Sequence, residues 1–485
     1  MWASLRASNF QRPAAIPLPT SRPRSRWPHP SDKMNPTTSA TLQKSQAPPK
    51  VSGTKAADHS MNVWSVAAMG IGAMVGAGIF ALLGVVGLVA GNETYISFLL
   101  GGVVAVLSGY SYAKLEARYP DAGGLIAYFH QAFGTGKLSG TLSLTYLITI
   151  AATIAMVAKA FGAYAAALGF ANASPPWINA FASGITILLV LLNIADAAMV
   201  GKAEVVLVGI KLVILAVLML AGTYGMVGHP AVKHVTPHFL SLISSVGLTF
   251  FAYAGFGVMT NAAGRVSNPK RTIPRAIYLA IVVVILLYAA LSVIVLGSVS
   301  TADLTQHADT AVALAAKPVL GRIGYVIVSV AALLATASGI NAWVFTAMEI
   351  SRAMVKVGNL PRMFAYFVWR KGTLGLLLGV GAILLAINVF DLTALARIAS
   401  ATFLFSYMAV QLAHWHLLDE TKGSRLLVGL GSLFMAAVLA CFLWSTFRVQ
   451  PWALVSIVAF VAGSWLIEFF LARSKVGLRI KLAAH

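Results

Sequence analysis

Charge is scarce in this chain of 485 residues: 10% are Asp, Glu, Lys or Arg, against 59% hydrophobic. That balance excludes an ordinary soluble globule and points to a polytopic membrane protein. Acids are scarcer still, 14 against 35 Lys and Arg. An intramembrane enzyme would want Asp, Glu, His or Cys clustered at one depth, and the apolar runs hold no such cluster. The single cysteine, Cys441, lies inside an apolar run. No intrachain disulfide can form, no cysteine-ligated metal is indicated, and the residue reads as a small buried hydrophobe. There is no G-x-x-x-x-G-K-[ST] phosphate loop, which argues against ATP-driven pumping. Ten-residue alternating segments are missing, which argues against an outer-membrane barrel. Nothing resembles a channel's ring of carbonyls or charges. No cofactor or metal is expected; His414 and His416 are two residues apart on a helix and face apart.

What is present is a series of long apolar runs. A spanning helix needs roughly 20 apolar residues. Twelve runs qualify as candidates, near 62–90, 95–114, 138–170, 177–196, 201–225, 239–262, 275–299, 319–350, 373–390, 393–417, 424–446 and 451–472. The net charge of +21 is not spread as a nucleic-acid patch would be. Counted from a cytoplasmic N-terminus, the basic residues fall in the inner loops: Lys114, Arg118 and Lys137; Lys202; Arg265, Lys270, Arg271 and Arg275; Arg352, Lys356, Arg362, Arg370 and Lys371; Lys422 and Arg425. A last group, Arg473, Lys475, Arg479 and Lys481, lies in the C-terminal tail 473–485. Lys233, Lys317 and Arg448 are the exceptions. This is the positive-inside pattern, with both termini cytoplasmic. The expected location is the inner (plasma) membrane. Residues 1–60 are rich in Pro, Ser and Arg and hold only two acids, Asp32 and Asp58. They read as a disordered basic tail or as an over-extended start before Met34; a transit peptide shares that composition.

The first run contains "GIGAMVGAGIF", with Gly70, Gly72, Gly76 and Gly78. Each glycine weakens a helix interior by about 1 kcal/mol relative to alanine. Gly72 and Gly76 also form a GxxxG match, which serves close helix packing. Five spans later "FFAYAGFGVMTNAAG" carries Gly255, Gly257 and Gly264, in a run that crosses in the opposite direction. Matching interruptions in two halves point to an inverted repeat, 61–225 followed by 239–417, with 424–472 outside it, and to a transporter's binding site. Non-helical backbone at membrane depth is tolerated only against protein or a wet cavity. The first half-helix is expected to end near Met74 with free carbonyls, and the second to begin near Ala77 with free N–H groups. Carbonyl ends attract cations and N-terminal N–H groups attract anions. An ammonium beside a carboxylate, the backbone of an α-amino acid, fits both.

These residues resemble the amino acid–polyamine–organocation superfamily, specifically bacterial-type amino acid permeases. Four pieces carry the resemblance in order: "GIGAMVGAGIF", "LEARYPDAGGLIAYFHQAFG" (115–134), "FFAYAGFGVMTNAAGRVSNPKRTIPRAI" (250–277) and "ASGINAWVFTAMEISRAMVKVGNLPRMF" (337–364). It extends over about residues 60 to 472. The resemblance implies an all-α polytopic membrane protein of the leucine-transporter-like fold, with 12 helices in a 5+5 inverted repeat, working by alternating access. By position, the N–H groups of Ala77 and Gly78 would meet the substrate carboxylate. Carbonyls of Met74, Phe251 and Ala254 would meet its amine, around the breaks at Gly76 and Gly255, and Phe251 would gate the site. Many relatives carry an acid beside the break of helix six. Here Ala254 and Gly257 stand there, which points to neutral, small or apolar amino acids rather than cationic ones. Transport or exchange of another small amine, a polyamine or an organic cation is the alternative.

Lys211 lies near the centre of span five, in "LVGIKLVIL". A central charge costs about 2.5–3.5 kcal/mol on insertion scales and is functional by default. The nearer water lies roughly 15 Å away, too far for a lysine stem to snorkel. Burial disfavours the ammonium relative to the neutral amine, so a lysine here can take up and release a proton within a working cycle. The resemblance implies the same: some proton-coupled members place a lysine of helix five where others bind sodium. Its implied partners are carbonyls at 70–73 and the Ser338 hydroxyl. Lys159, nearer the end of span three, reads as snorkelling or as a pocket residue. Glu349 and Arg352 read as a structural i,i+3 pair, and Asn341 as an interhelical hydrogen bond. Arg397 receives no role.

Overall fold

The structure, a computed structural model, describes residues 61–169, 174–195, 198–226, 237–369 and 372–483. The basic tail 1–60, with the alternative start at Met34, and Lys233 lie outside the described residues.

Helices dominate. The first run divides into α1 (Val63–Ala77) and α2 (Ile79–Ala90), and α3 (Thr94–Arg118) follows after one 3-10 turn. Short α4 (Leu125–Phe133) leads to α5 (Lys137–Gly169), α6 (Pro175–Ala195) and α7 (Ala198–Met226). The sixth run is α8 (Phe239–Tyr253) continued by a 3-10 segment, Ala254–Arg265. Then come α9 (Pro269–Ser298), α10 (Thr301–His307) and α11 (Ala311–Leu314), the last two separated by a 3-10 turn at Ala308–Thr310. The chain ends with α12 (Lys317–Lys356), α13 (Leu374–Val389), α14 (Leu392–His416), α15 (Leu418–Thr421), α16 (Arg425–Val449) and α17 (Pro451–Ala483). Before α13, β1 (Phe367–Trp369) and β2 (Gly372–Thr373) pair antiparallel. The expected tail from 473 continues α17 as helix through Ala483.

Among the described residues, ten helical stretches are long and apolar enough to cross a membrane, α2 and α3 being joined as one, Ile79–Arg118. The runs at 62–90 and 373–390 include the two shorter apolar helices, α1 and α13. Helices satisfy backbone groups internally, which hydrocarbon demands. Their ends carry the expected chemistry. Asn62 Oδ1 accepts from Ser65 N (2.9 Å), Asp391 Oδ1 from Ala394 N (2.6 Å), and proline opens α6, α9 and α17.

Packing centres on α1, α5 and α12. Helix α5 touches α6, α12, α13, α14 and α17, while α1 lies against α9 and α12, and α3 against α8 and α9. The start of the first run meets the end of the sixth, where Met61 N donates to Arg265 O (3.3 Å). The two interrupted runs therefore cross in opposite senses. Basic segments far apart in sequence share one end of the bundle: Lys114 Nζ donates to Lys422 O (3.2 Å), Arg118 pairs with Glu420 (3.8 Å), and Lys356 lies 4.0 Å from Asp121.

The crossing of α1 and α12 is close because both helices lack side chains there. A Cβ on Gly76 would overlap the Ala335 carbonyl oxygen and sit 2.9 Å from Gly339 Cα. Around Gly379 and Gly381 on α13, by contrast, nothing lies within 4 Å. Alanine is better than glycine inside a helix by about 1 kcal/mol, so only packing can reverse the sign. Gly76→Ala is expected to lower the melting temperature in detergent by several degrees and Gly379→Ala to leave it level or raise it. Equal behaviour of the two variants in a thermal-shift assay would contradict the tight crossing.

Candidate functional site

The interruption of the first run is narrower than its four glycines suggest. Helix α1 persists through Ala77, and only Gly78 leaves helical geometry, at φ −90° and ψ −81°. Its N–H donates to Met74 O (2.6 Å), and its own carbonyl accepts from Leu82 N (2.8 Å). The groups expected to stand free at Met74 and Gly78 therefore satisfy one another across a single turn. The second interruption is longer: α8 stops at Tyr253 and twelve residues continue as 3-10 helix. A 3-10 stretch of that length is uncommon and marks a hinge or strain.

Folding brings the two interruptions together. A Cβ on Gly255 would sit 2.7 Å from Met74 N, and one on Gly78 would sit 2.8 Å from Ala252 O. Met74, Gly76, Ala77, Gly78, Phe251, Ala254 and Gly255 are all buried. The carbonyls of the second interruption have donors: Tyr407 Oη donates to Ala254 O (2.6 Å), Tyr288 Oη to Ala252 O (3.3 Å), and Ala254 N to Phe251 O. Each carbonyl oxygen has two lone pairs, so one more donor, such as an ammonium, can be accommodated at each.

Lys211 on α7 is 1% exposed. Its Nζ donates to Gly72 O (3.3 Å) on α1 and to Ser338 Oγ (3.0 Å) on α12. One side chain thus ties the first, fifth and eighth runs together, beside the Gly76–Gly339 crossing. An unpaired buried ammonium would cost several kcal/mol, and oxygen acceptors reduce that cost. A second polar bridge lies one turn along α12, where Asn193 Nδ2 donates to Asn341 Oδ1 (2.6 Å). Among the described residues no His, Cys, Asp and Glu cluster suited to a metal occurs.

Sequence inspection missed an aromatic column. Phe403 on α14 lies 5.2 Å from Phe251, 5.4 Å from Trp343 and 5.6 Å from Tyr407, centroid to centroid. Tyr407 continues it to Tyr112 (4.9 Å) and Phe256 (5.3 Å). All but the tilted Tyr112–Tyr407 pair meet edge to face, and rings at these distances hold one another in place. The available signal was Phe403 and Tyr407 at i,i+4, one face of one helix.

Several charged residues elsewhere are engaged. Glu349 pairs with Arg352 at 3.0 Å. Lys159 is 8% exposed, and its Nζ donates to Asn179 Oδ1 (2.5 Å). Near it lie Asp391, at the start of α14, and Asp309, on the 3-10 turn between α10 and α11. That turn presses on α2, where Gly84 abuts the Ala308 carbonyl. Burial, then the neighbouring Asp391 charge, raise the pKa of Asp309 above 3.8; Lys159 and His307 act against the rise. A carboxyl with a raised folded-state pKa binds its proton more readily folded than unfolded, so stability falls as pH rises from 3.8 through the raised value. Asp309→Asn is expected to flatten that decline and to raise the melting temperature at neutral pH. Melting curves recorded from about pH 4 to pH 7 check it; an unchanged slope would remove Asp309 as the cause.

The chain matches the family model described as amino acid permease over residues 61–468. It is 42% identical over 416 residues to the inner membrane transport protein YbaT of Escherichia coli (strain K12), covering 86% of this chain and 97% of that protein. Cationic amino acid transporter 9, chloroplastic, of Arabidopsis thaliana is 25% identical, covering 63% of this chain and 56% of that one. The methylthioribose transporter of Bacillus subtilis (strain 168) is 26% identical, covering 65% and 71%. With a multi-span helical fold and a family match across most of its length, the chain belongs to the amino acid permease family of the amino acid–polyamine–organocation superfamily and is a transporter rather than an enzyme.

Proposed function

We propose that this transporter imports neutral, small or apolar amino acids across the inner membrane by alternating access, coupled to protons through Lys211. Both termini would be cytoplasmic and the two five-helix halves related by inversion. The observation that carries the reading is the Lys211 ammonium on Gly72 O and Ser338 Oγ, directly beside the paired interruptions. A cation is held there by oxygens of two helices that border the proposed substrate site. Loss of the proton removes that tie between α1, α7 and α12, so protonation and the relative position of these helices are thermodynamically linked. The substrate amine would lie on the carbonyls of Met74, Phe251 and Ala254, its carboxylate at the N–H groups of Ala77 and Gly78, and Phe251 over it. Gly76 and Gly255 permit the close backbone approach.

Neutral substrates are favoured because Ala254 and Gly257 stand where many relatives carry an acid and because the Phe403 ring packs against Phe251. A second reading, transport of another small amine or organic cation, has one observation in its favour. Gly78 N–H is bonded to Met74 O, while the carbonyl acceptors keep spare lone pairs. For an amino acid to bind as proposed, α1 must open at its last residue, Ala77, and the Gly78 bond must be exchanged for one to the substrate carboxylate.

Uptake into proteoliposomes separates these readings. A pH gradient without sodium is expected to drive accumulation of a neutral amino acid. Lys211→Ala is expected to abolish accumulation while sparing exchange. Unchanged gradient-driven uptake in that variant would take Lys211 out of the mechanism. Competition by decarboxylated analogues equal to that of the amino acids would favour the amine reading.

A further inference from the structure

Arg397 sits on α14, six residues past the Asp391 cap and six before Phe403. At 1.5 Å per residue it stands about 9 Å from each along the helix axis. It is 4% exposed, and its Nε is buried without a hydrogen-bond partner. Among the described residues none offers the guanidinium a hydrogen bond, an ion pair or an aromatic face. Asp391, the nearest acid on its own helix, is bonded to Ala394 N and lies on another face of α14. One turn deeper, Ser400 Oγ is likewise buried and unpartnered. The Nε of a permanently charged side chain and a hydroxyl thus lie unpartnered on adjacent turns of one helix face, between the start of α14 and the ring cluster around Phe403. Guanidinium cannot relieve its burial by losing a proton. A small anion would satisfy the charge and the Nε donor together.

We propose that Arg397 and Ser400 form a binding site for a small monoanion on the approach to the aromatic column. The guanidinium supplies parallel N–H donors that match a carboxylate in two-point contact, and Ser400 Oγ–H supplies a further donor. Two sources share this chemistry: the carboxylate of the transported substrate, pausing before it passes Phe251, and inorganic chloride. The first rests on the amino acid reading above; the second does not. Arg397 is a binding residue in either case, since it touches the anion directly.

The test uses the full-length protein in detergent and in proteoliposomes. Wild type, Arg397→Met and Arg397→Lys are melted with potassium chloride, potassium acetate, L-alanine and ethylamine, against potassium isethionate at equal ionic strength. At least one small anion is expected to raise Tm in the wild type, not in Arg397→Met, and partly in Arg397→Lys. Shifts with acetate and L-alanine but not ethylamine identify the carboxylate as the occupant. A shift with chloride alone identifies inorganic anion. For a carboxylate, Arg397→Met is expected to raise KM about 10- to 100-fold with little change in kcat, the range for loss of a charge-assisted hydrogen bond. Anion shifts of equal size in wild type and Arg397→Met, or none in either, would overturn the proposal. Absence of amino acid uptake by the wild type with its anion shift intact would instead sink the transport reading alone.

Discussion

Backbone hydrogen bonding away from water governs this molecule. A helix interrupted inside a bilayer exposes N–H and C=O groups that no solvent can satisfy. Each interruption here is closed by protein. Met74 O and Gly78 N satisfy one another, Tyr407 reaches Ala254 O from α14, and Tyr288 reaches Ala252 O from α9. The consequence is a first break one residue wide and a second that keeps 3-10 bonding. The carbonyls so covered retain acceptor capacity, which is what a cationic group needs.

The same constraint sorts the buried charges. Lys211 is shared between α1 and α12, and its ammonium has oxygens from both. Lys159 has the Asn179 amide oxygen. Arg397 stands apart, charged and buried with no described neighbour to offset it. Close approach of α1 and α12 depends on Gly76 and Gly339, whose missing side chains let Lys211 reach both helices. Packing and charge placement are therefore one problem at this crossing.

Part of the candidate site's geometry could be read directly from residue order. Glycines in a long apolar run flagged both interruptions, and a lone lysine amid Leu, Val and Ile flagged the cation position. The partners Ser338 and the carbonyl stretch at 70–73 followed from the family resemblance rather than from spacing. The width of the first break was not legible. Four glycines suggest a gap between Met74 and Ala77, yet a helix survives glycine when neighbouring helices press on it, as Ala335 and Met259 do on Gly76 and Gly70. The ring cluster around Phe403 was also invisible, because aromatics in a membrane run look alike whether they face lipid or core.

Hydropathy is a local sum, so the order of residues alone established where apolar runs begin, where basic loops recur and which runs are weakened by glycine. Transfer from water to hydrocarbon acts on each segment separately. Which segments meet is another matter. That Gly255 lies on Met74 and that Tyr407 covers Ala254 O depend on contacts between residues 181 and 153 positions apart. Such contacts arise from helix packing, in which shape complementarity over many turns selects one arrangement, and no single run carries that information.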